Sequence, residues 1–350
     1  MDEIIEATIL LRVRQIIVET NDIRTFIFEQ TNGAGLSYEA GQFLTFLIAM
    51  HGKEVRRSYS MSSAPAVDAY PSITVKRVPN GEISRFWIDF VHEGDIFTAL
   101  PPSGRFTLDT SEVPRDVVLI GAGSGITPLF SILKQTLSTD PRSQVTLIYA
   151  NRNEMSTLFM DQISQWQQRF SDRLHVIHIH SQPGDNWNGV RGRINNTRLE
   201  QMISKALVHD RNRARFFICG PFELMRSVEI TLHFMHFQKE QIRRENFVVR
   251  KMPEEPGAFN PHDIRLIFRG VEYELHVADD KTILQAALDA GIHLPYSCKG
   301  GSCATCAGMC RSGHVHMTIN DVLTDGDLAS GWVLTCTGYP QDEDVVIEIK

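Results

Sequence analysis

No apolar run in this chain is long enough to cross a bilayer. The longest, about Phe43 to Met50, falls far short of the ~20 residues needed. The N-terminus, Met1-Asp2-Glu3-Ile4, has no basic stretch leading into a long apolar core, so no secretory signal is expected. A cytoplasmic protein without a membrane anchor is the expectation. Cysteine is nearly missing from the first 297 residues, where Cys219 stands alone, which excludes a small disulfide-stapled scaffold. There is no H-E-x-x-H, no internal repeat and no low-complexity tract. Positive charge is not in excess either. The net charge is −7, so nucleic acid is not an expected partner.

What remains is ordinary globular material. Hydrophobic residues make up 42% and charged residues 22%, enough to bury cores and too little charge for a disordered chain. At roughly 150 residues per domain, 350 residues imply two or three domains. The charge is unevenly placed. Residues 262–350 hold 13 Asp and Glu against 6 Lys and Arg, while the first 261 carry 29 of each sign. An acidic C-terminal module of this kind suits docking to a basic protein patch, although its acidic face can also be occupied by the rest of the chain. Five of the six cysteines lie in the same module, a clustering typical of metal or redox chemistry in a reducing compartment.

Residues 1 to about 108 read as β-rich. Ile23–Phe28 and Ile73–Val78 alternate with period two, and Asn32-Gly33, Pro79-Asn80-Gly81 and Pro101–Gly104 mark turns. Many short strands suggest a barrel, with one short helix from Ser84 to Val91. The pattern changes near Pro114. Val117–Ile120 is a continuous apolar run, as in a strand buried on both faces. Helix-like stretches to about Leu137 and Phe170 alternate with strands at Val145–Ala150, His175–His180 and Phe216–Cys219, and a further helix starts near Phe222. This alternation implies a doubly wound parallel sheet. Lys251 to Gly257, with two prolines, reads as a linker. Beyond it, Ile264–Phe268 and Tyr273–Val277 flank Arg269-Gly270 as a hairpin, Thr282–Ala290 reads as a helix closed by Gly291, and Val345–Ile349 as a last strand.

The most specific pattern is Cys298-x4-Cys303-x2-Cys306, with Cys336 thirty residues later. This is the plant-type spacing of a [2Fe–2S] cluster, whose irons need four thiolates. The small residues Gly300, Gly301, Ser302 and Ala304 let backbone N–H groups approach the sulfides. Zinc is the competing reading, but structural zinc sites usually pair two C-x2-C knuckles and only one is present. Cys310 falls outside the spacing and reads as a small buried hydrophobe.

A second pattern is Gly121-Ala-Gly123-Ser-Gly125-Ile-Thr127-Pro128, directly after the buried strand. Glycines at a strand-to-helix turn let phosphates reach the backbone, and tight helix–sheet packing is the competing explanation. The spacing is G-x-G-x-G, not the ordinary dinucleotide fingerprint. A third is Arg56-Arg57-Ser58-Tyr59-Ser60, a cation and an aromatic ring beside hydroxyls. His175, His178 and His180 read as a strand face, Phe234, Met235 and Phe237 as helix packing, and Asp342–Asp344 as a solvated turn.

In combination these segments resemble the ferredoxin–NADP reductase superfamily over nearly the whole chain. The likeness is to its oxygenase reductase components that end in a plant-type ferredoxin domain. The resemblance implies an antiparallel β-barrel FAD-binding domain (residues 1–110), an α/β parallel-sheet NAD(P)-binding domain (111–250), a linker (251–261) and an α+β, β-grasp ferredoxin domain (262–350). Arg57-Ser58-Tyr59-Ser60 matches the R-x-Y-S motif. There the arginine binds the flavin pyrophosphate, the tyrosine packs on the ring system and the serine bonds near N5. Gly81, Ile83 and Ser84 match a second flavin-phosphate turn, and Val75 and Lys76 the strand beside the ribityl chain. Gly121, Gly123, Gly125, Thr127 and Pro128 match the nicotinamide loop. Cys219, Gly220 and Pro221 match C-G-P, with the cysteine near hydride transfer, and Glu245-Asn-Phe247 matches E-x-F. Single-module members often end on an aromatic residue stacked on the flavin; here the chain continues into the ferredoxin domain, which leaves the cover of the flavin face open.

The implied function is a reductase that passes electrons from NAD(P)H to FAD, to the [2Fe–2S] cluster and to a separate protein. The favoured acceptor is an oxygenase component. Another redox protein, such as a hybrid-cluster protein, is the alternative acceptor, and a redox sensor the reading from a different class. Ser60 and Cys219 are the residues expected at the reacting atoms, without an acid–base role. Arg152, just past the second strand of the nucleotide domain, could bind a 2′-phosphate and tilts the expectation towards NADPH over NADH.

Overall fold

The computed structural model describes residues 7–247 and 259–349. Among these residues no helix is long and apolar enough to cross a membrane. The linker expected from Lys251 to Gly257 lies outside the described residues.

The first module contains β1 (Ile9–Thr20), β2 (Ile23–Gln30), β3 (Phe43–Met50), β4 (Lys53–Ser60), β5 (Ser72–Lys76), α1 (Glu82–Phe90) and β6 (Ile96–Ala99). The strands form one antiparallel sheet in the order β4-β3-β6-β1-β2-β5. A bridge between Met61 and Ile73 joins the continuation of β4 to β5, bringing the two edges together. Trp87 of α1 fills the interior, with Phe26 and Phe46 each 4.9 Å from it, centroid to centroid. The helix starts at Glu82, two residues before the expected Ser84, because Gly81 takes the N-cap.

The second module contains β7 (Asp116–Ala122), α2 (Ile126–Thr139), β8 (Gln144–Asn151), α3 (Met160–Arg169), β9 (Leu174–His180), β10 (Val190–Arg191), α4 (Asn196–Ala206), β11 (Arg215–Cys219), α5 (Phe222–Phe234) and β12 (Ile242–Glu245). Its sheet is parallel, in the order β10-β9-β8-β7-β11-β12. β7 is buried on both faces, as its unbroken apolar run requires, and separate cores cover the two sides. The strand order reverses between β7 and β11, so a crevice opens at the carboxyl ends of those strands. His178 and His180 sit within β9 as expected, their buried Nδ1 atoms without a hydrogen bond, that of His180 lying 3.9 Å from Glu154 Oε2. Met235 and Phe237 pack inward, but Phe234 is 72% exposed, contrary to the packing expected of it. It ends α5 on the side facing away from the sheet.

The third module contains β13 (His262–Phe268), β14 (Val271–Val277), α6 (Ile283–Asp289), β15 (Ala307–Ser312), β16 (Val315–Met317), α7 (Asp325–Ala329), β17 (Trp332–Leu334), β18 (Gly338–Pro340) and β19 (Val346–Ile349). Five strands form a mixed sheet in the order β14-β13-β19-β15-β17, in which β13 and β19 run parallel. Arg269 and Gly270 both take positive φ, the conformation that a two-residue hairpin turn requires.

The acidic module docks on the other two through charge. Asp327 pairs with Arg105, Asp325 with Lys239 at 2.9 Å, and Asp321 with Arg244 at 3.4 Å. The Arg105 guanidinium also lies 4.5 Å from the Trp332 ring centroid. Part of the acidic face is thus engaged by the protein's own reductase half.

Candidate active site

β4 alternates sides, so Arg57 and Tyr59 point one way and Arg56, Ser58 and Ser60 the other. Tyr59 packs edge-on to Trp87 at 5.9 Å, and burial pushes its hydroxyl pKa up. Arg57 is exposed, its Nη1 donating to the Arg56 carbonyl at 2.7 Å. Ser60 is buried and donates to Glu245 Oε2 at 2.5 Å. Glu245 is the last residue of β12, in register with Cys219 of β11, which is in register with Gly121 of β7. Three adjacent strand ends therefore set the glycine loop, the cysteine and the carboxyl side by side.

Burial raises the Glu245 pKa to about 7, against a smaller opposing effect of the Ser60 hydrogen bond. Burial, reinforced by Glu245, also pushes the Cys219 thiol up, so it stays protonated and is no nucleophile. With its folded pKa raised, Glu245 holds a proton that the unfolded chain has released between about pH 4.5 and 7. Native stability from this group therefore falls as pH rises through that window. Glu245→Gln should remove the slope, so that thermal unfolding shows the variant gaining on the wild type from pH 5 to pH 8. The full effect is at most about 3 kcal/mol. Parallel stability curves would show that the carboxyl is already ionised at pH 5.

Gly81 caps α1 without a side-chain acceptor. The Ser84 hydroxyl accepts from Val78 N–H at 3.0 Å and donates to the Gly81 carbonyl at 2.9 Å, folding it into the turn. The first N–H groups of α1 thus lack a side-chain cap and suit an anion. Ile83 and Val75 are buried behind this turn, and Lys76 is exposed at the end of β5.

In the nucleotide loop, Gly125 has ordinary helical dihedrals, and its reason for being glycine is space. A Cβ there would lie 2.2 Å from the Cys219 carbonyl oxygen. At Gly123, with φ +56°, a Cβ would meet open space. Thr127 donates to the Ser124 carbonyl at 3.1 Å, and Pro128 sits in the first turn of α2, where a missing N–H costs nothing. A Cβ on Gly220 would come 3.1 Å from Ala122 N, and Pro221 caps α5. Arg152 is exposed past the end of β8, its Nε donating to Gln182 Oε1 at 2.7 Å.

The four spaced cysteines come together. The Cys298 thiol lies within hydrogen-bonding reach of Cys303 and Cys336, and Cys336 within reach of Cys306. S–H donation from Cys303, then Cys336, holds Cys298 well below the usual thiol range and raises its partners. None of the six cysteines is in a disulfide. Lys299, Gly301 and Ala304 turn the loop through positive φ, and a Cβ on Gly301 would lie 2.6 Å from the Ile319 carbonyl. Gly300 N–H points at Cys298 Sγ, 3.4 Å away. Among the described residues no group of three or more His, Cys, Asp and Glu is placed as for a single metal ion. A two-iron cluster requires no such group, because each iron takes two thiolates and the bridging sulfides do the rest. Cys310 lies apart on β15, its S–H directed at the Ser312 carbonyl at 3.1 Å.

Flavin motif and cysteine loop line one cavity of about 400 Å³, with Arg57, Ser60, Glu245 and Phe247 on one side and Cys298 and Cys303 on the other. Reading the sequence alone missed several of its supports. Glu245 stood out only as part of a motif. Arg56 and Ser58 reach across to Tyr296 and Ser297. The Tyr149 hydroxyl donates to the Gly123 carbonyl at 3.0 Å, a contact only foreshadowed by the rule that a buried tyrosine needs a partner.

Three family models match: an oxidoreductase FAD-binding domain over residues 10–108, an oxidoreductase NAD-binding domain over 119–229, and a 2Fe-2S iron-sulfur cluster binding domain over 267–341. The chain is 33% identical to a component protein of the 1,2-phenylacetyl-CoA epoxidase of Escherichia coli (strain K12), covering 97% of this chain and 96% of that protein. It is 32% identical to the ferredoxin reductase component of 3-ketosteroid-9-alpha-monooxygenase of Mycolicibacterium smegmatis, covering 96% of each. Among solved structures, phthalate dioxygenase reductase superposes over 98% of both chains with a TM-score of 0.60 at 24% identity.

Proposed function

The chain belongs to the family of oxygenase reductase components built from FAD-binding, NAD-binding and 2Fe-2S domains, and from that premise we propose how its residues divide the work and what it serves. It is an NAD(P)H-dependent oxidoreductase. The carrying observation is the shared cavity, where the flavin motif faces two cluster cysteines across one space.

FAD held here would supply the exchange between two-electron hydride chemistry and one-electron transfer, and the cluster one-electron chemistry. Arg57 and the open N–H groups of α1 would hold the flavin pyrophosphate, with Val75 and Lys76 beside its chain. Tyr59 would pack on the ring system, and Phe247, 48% exposed and lining the cavity, would cover its other face. Ser60, held by Glu245, and the protonated Cys219 would border the hydride path. Gly121, Gly123 and Gly125 would admit the coenzyme phosphates, with Thr127 and Pro128 opening the helix behind them. Cys298, Cys303, Cys306 and Cys336 would ligate the cluster, and the sulfur donor set fits iron–sulfur chemistry.

The finer architecture follows the same reading. The Met61–Ile73 bridge supports a closed β-barrel, and the parallel β13–β19 pair beside a hairpin and α6 supports a β-grasp. We keep the domain limits expected from the sequence (1–110, 111–250, 251–261 and 262–350), a proposal supported by sheets that span residues 9–99, 116–245 and 262–349. The six unpaired cysteines suit a reducing, cytoplasmic setting.

The acceptor we propose is a separate oxygenase component, as for the relatives, and the coenzyme NADPH. Arg152 supports the latter, being exposed past the end of β8. The test is purification followed by assay. One flavin and one [2Fe–2S] cluster per chain are expected, with kcat/KM for NADPH above that for NADH and reduced by Arg152→Ala. Zinc without acid-labile sulfide would overturn the cluster, and a coenzyme ratio at or below one would overturn the NADPH preference.

A further inference from the structure

We propose that Arg56 is a positioning residue for electron transfer between the flavin and cluster sites. It pins Tyr296, and with it the loop carrying Cys298 and Cys303, onto the flavin cavity. This rests on the functional reading above and adds a residue outside the flavin motif.

The neighbouring arginines of β4 have separate tasks because a strand alternates its faces. Arg57 is exposed beside the cavity. The Arg56 side chain is only 11% exposed and turns to the third module. Its Nη1 donates to the Tyr296 carbonyl at 3.2 Å, and its guanidinium carbon lies 4.0 Å from the Tyr296 ring centroid. Its Nε donates to Glu54 at 2.9 Å. A planar guanidinium makes all these contacts at once, which a compact ammonium does not. Lys299, 4.4 Å from the same ring centroid, adds a second cation from the cysteine loop itself.

One residue further along that loop, the Ser297 and Ser58 hydroxyls meet at 2.5 Å. The two contacts fall immediately before Cys298. Among the described residues the modules are also linked by the charge pairs of Arg105, Lys239 and Arg244, of which the exposed Lys239–Asp325 pair is the one most weakened by solvent. Those pairs bring the module down, and the short contacts at 296 and 297 set where its cysteine loop lies. The coenzyme loop and the Ser60–Glu245 pair have contacts of their own.

The test compares cofactor-loaded wild type with Arg56→Lys, Arg56→Ala and Tyr296→Leu. Hydrogen exchange of the 296–303 amides needs no turnover and should speed up in all three. In single-turnover mixing, reduction of the flavin by coenzyme should keep its wild-type rate. Reduction of the cluster should slow by about tenfold or more, because small displacements of reacting groups carry costs up to about 100-fold. The Arg56→Ala/Tyr296→Leu double variant should be no slower than the worse single variant, as expected of one shared interaction. Cluster reduction within twofold of wild type in Arg56→Ala would overturn the proposal. So would loss of flavin from Arg56→Lys, which would make Arg56 a cofactor ligand. If the wild-type cluster is not reduced by NAD(P)H at all, the functional reading fails instead, and the exchange experiment still tests the pinning.

Discussion

Cys303→Ser should yield a yellow protein that has lost its cluster but still oxidises NAD(P)H with ferricyanide. Cys303 sits centrally in the ligand loop, its thiol against Cys298 and its sulfur 3.4 Å from Thr305 Oγ1. Serine puts a hard, poorly ionised hydroxyl where iron–sulfur ligation favours a soft thiolate. Loss of a ligand should cost more than the roughly 10- to 100-fold in metal affinity that follows loss of a mere supporting partner. The flavin and nicotinamide residues lie on other sheets with their own cores, so they should remain folded. Iron and sulfide content should fall towards zero, flavin content should hold, and transfer to the protein acceptor should collapse. Full acceptor activity in a cluster-free variant would mean that electrons leave directly from the flavin. Loss of flavin as well would mean that the modules do not fold independently.

Gly125→Ala should disable coenzyme binding through one added methyl. The new Cβ would sit 2.2 Å from the Cys219 carbonyl oxygen, 2.5 Å from its carbon and 2.9 Å from Gly220 N. All three are backbone atoms, so no side chain can swing aside. The glycine loop and the Cys219–Pro221 turn must separate, at the crossing where the strand order reverses. Overpacking of this kind costs about 1–3 kcal/mol or somewhat more. A shift of about 1 Å in the loop can cost on the order of 100-fold in kcat/KM. Gly123→Ala is the matching control. Its Cβ meets open space, so stability should fall only by the roughly 1–2 kcal/mol of a left-handed residue. That open space is where a phosphate would lie, so coenzyme KM should still rise. Unchanged melting temperature and KM in Gly125→Ala would show that the two loops can move apart freely.

Much of the site was readable in the chain because its chemistry is local. Cys298, Cys303 and Cys306 share one loop, and spacing alone constrains what nine residues can wrap. Gly121 to Pro128 follow an unbroken apolar run, and a strand buried on both faces leaves little choice of sheet. Elements with weaker periodicity were harder to read. α4 is polar through much of its length and is announced mainly by the Asn195 cap. The short strands β15 to β18 lie among glycines and cysteines with little alternation. Phe234 looked like core and is exposed, because a helix end offers its last turn to solvent on more than one side.

By itself the sequence determined the FAD-binding, NAD-binding and 2Fe-2S domains and their order, and it spelled out the cysteine spacing and the two glycine-bearing turns on which the proposed cluster and phosphate sites rest. Each is written in a short span, where bond geometry and hydrophobic period leave few alternatives. The tertiary structure decided which groups meet. Ser60 finds Glu245 across 185 residues and Ser58 finds Ser297 across 239. Arg56 leaves its neighbour Arg57 to reach Tyr296, and Asp321, Asp325 and Asp327 direct their charge to Arg244, Lys239 and Arg105. No local spacing encodes these pairs. They follow from the strand register that lines up Gly121, Cys219 and Glu245, and from the way one module's charges settle against another's.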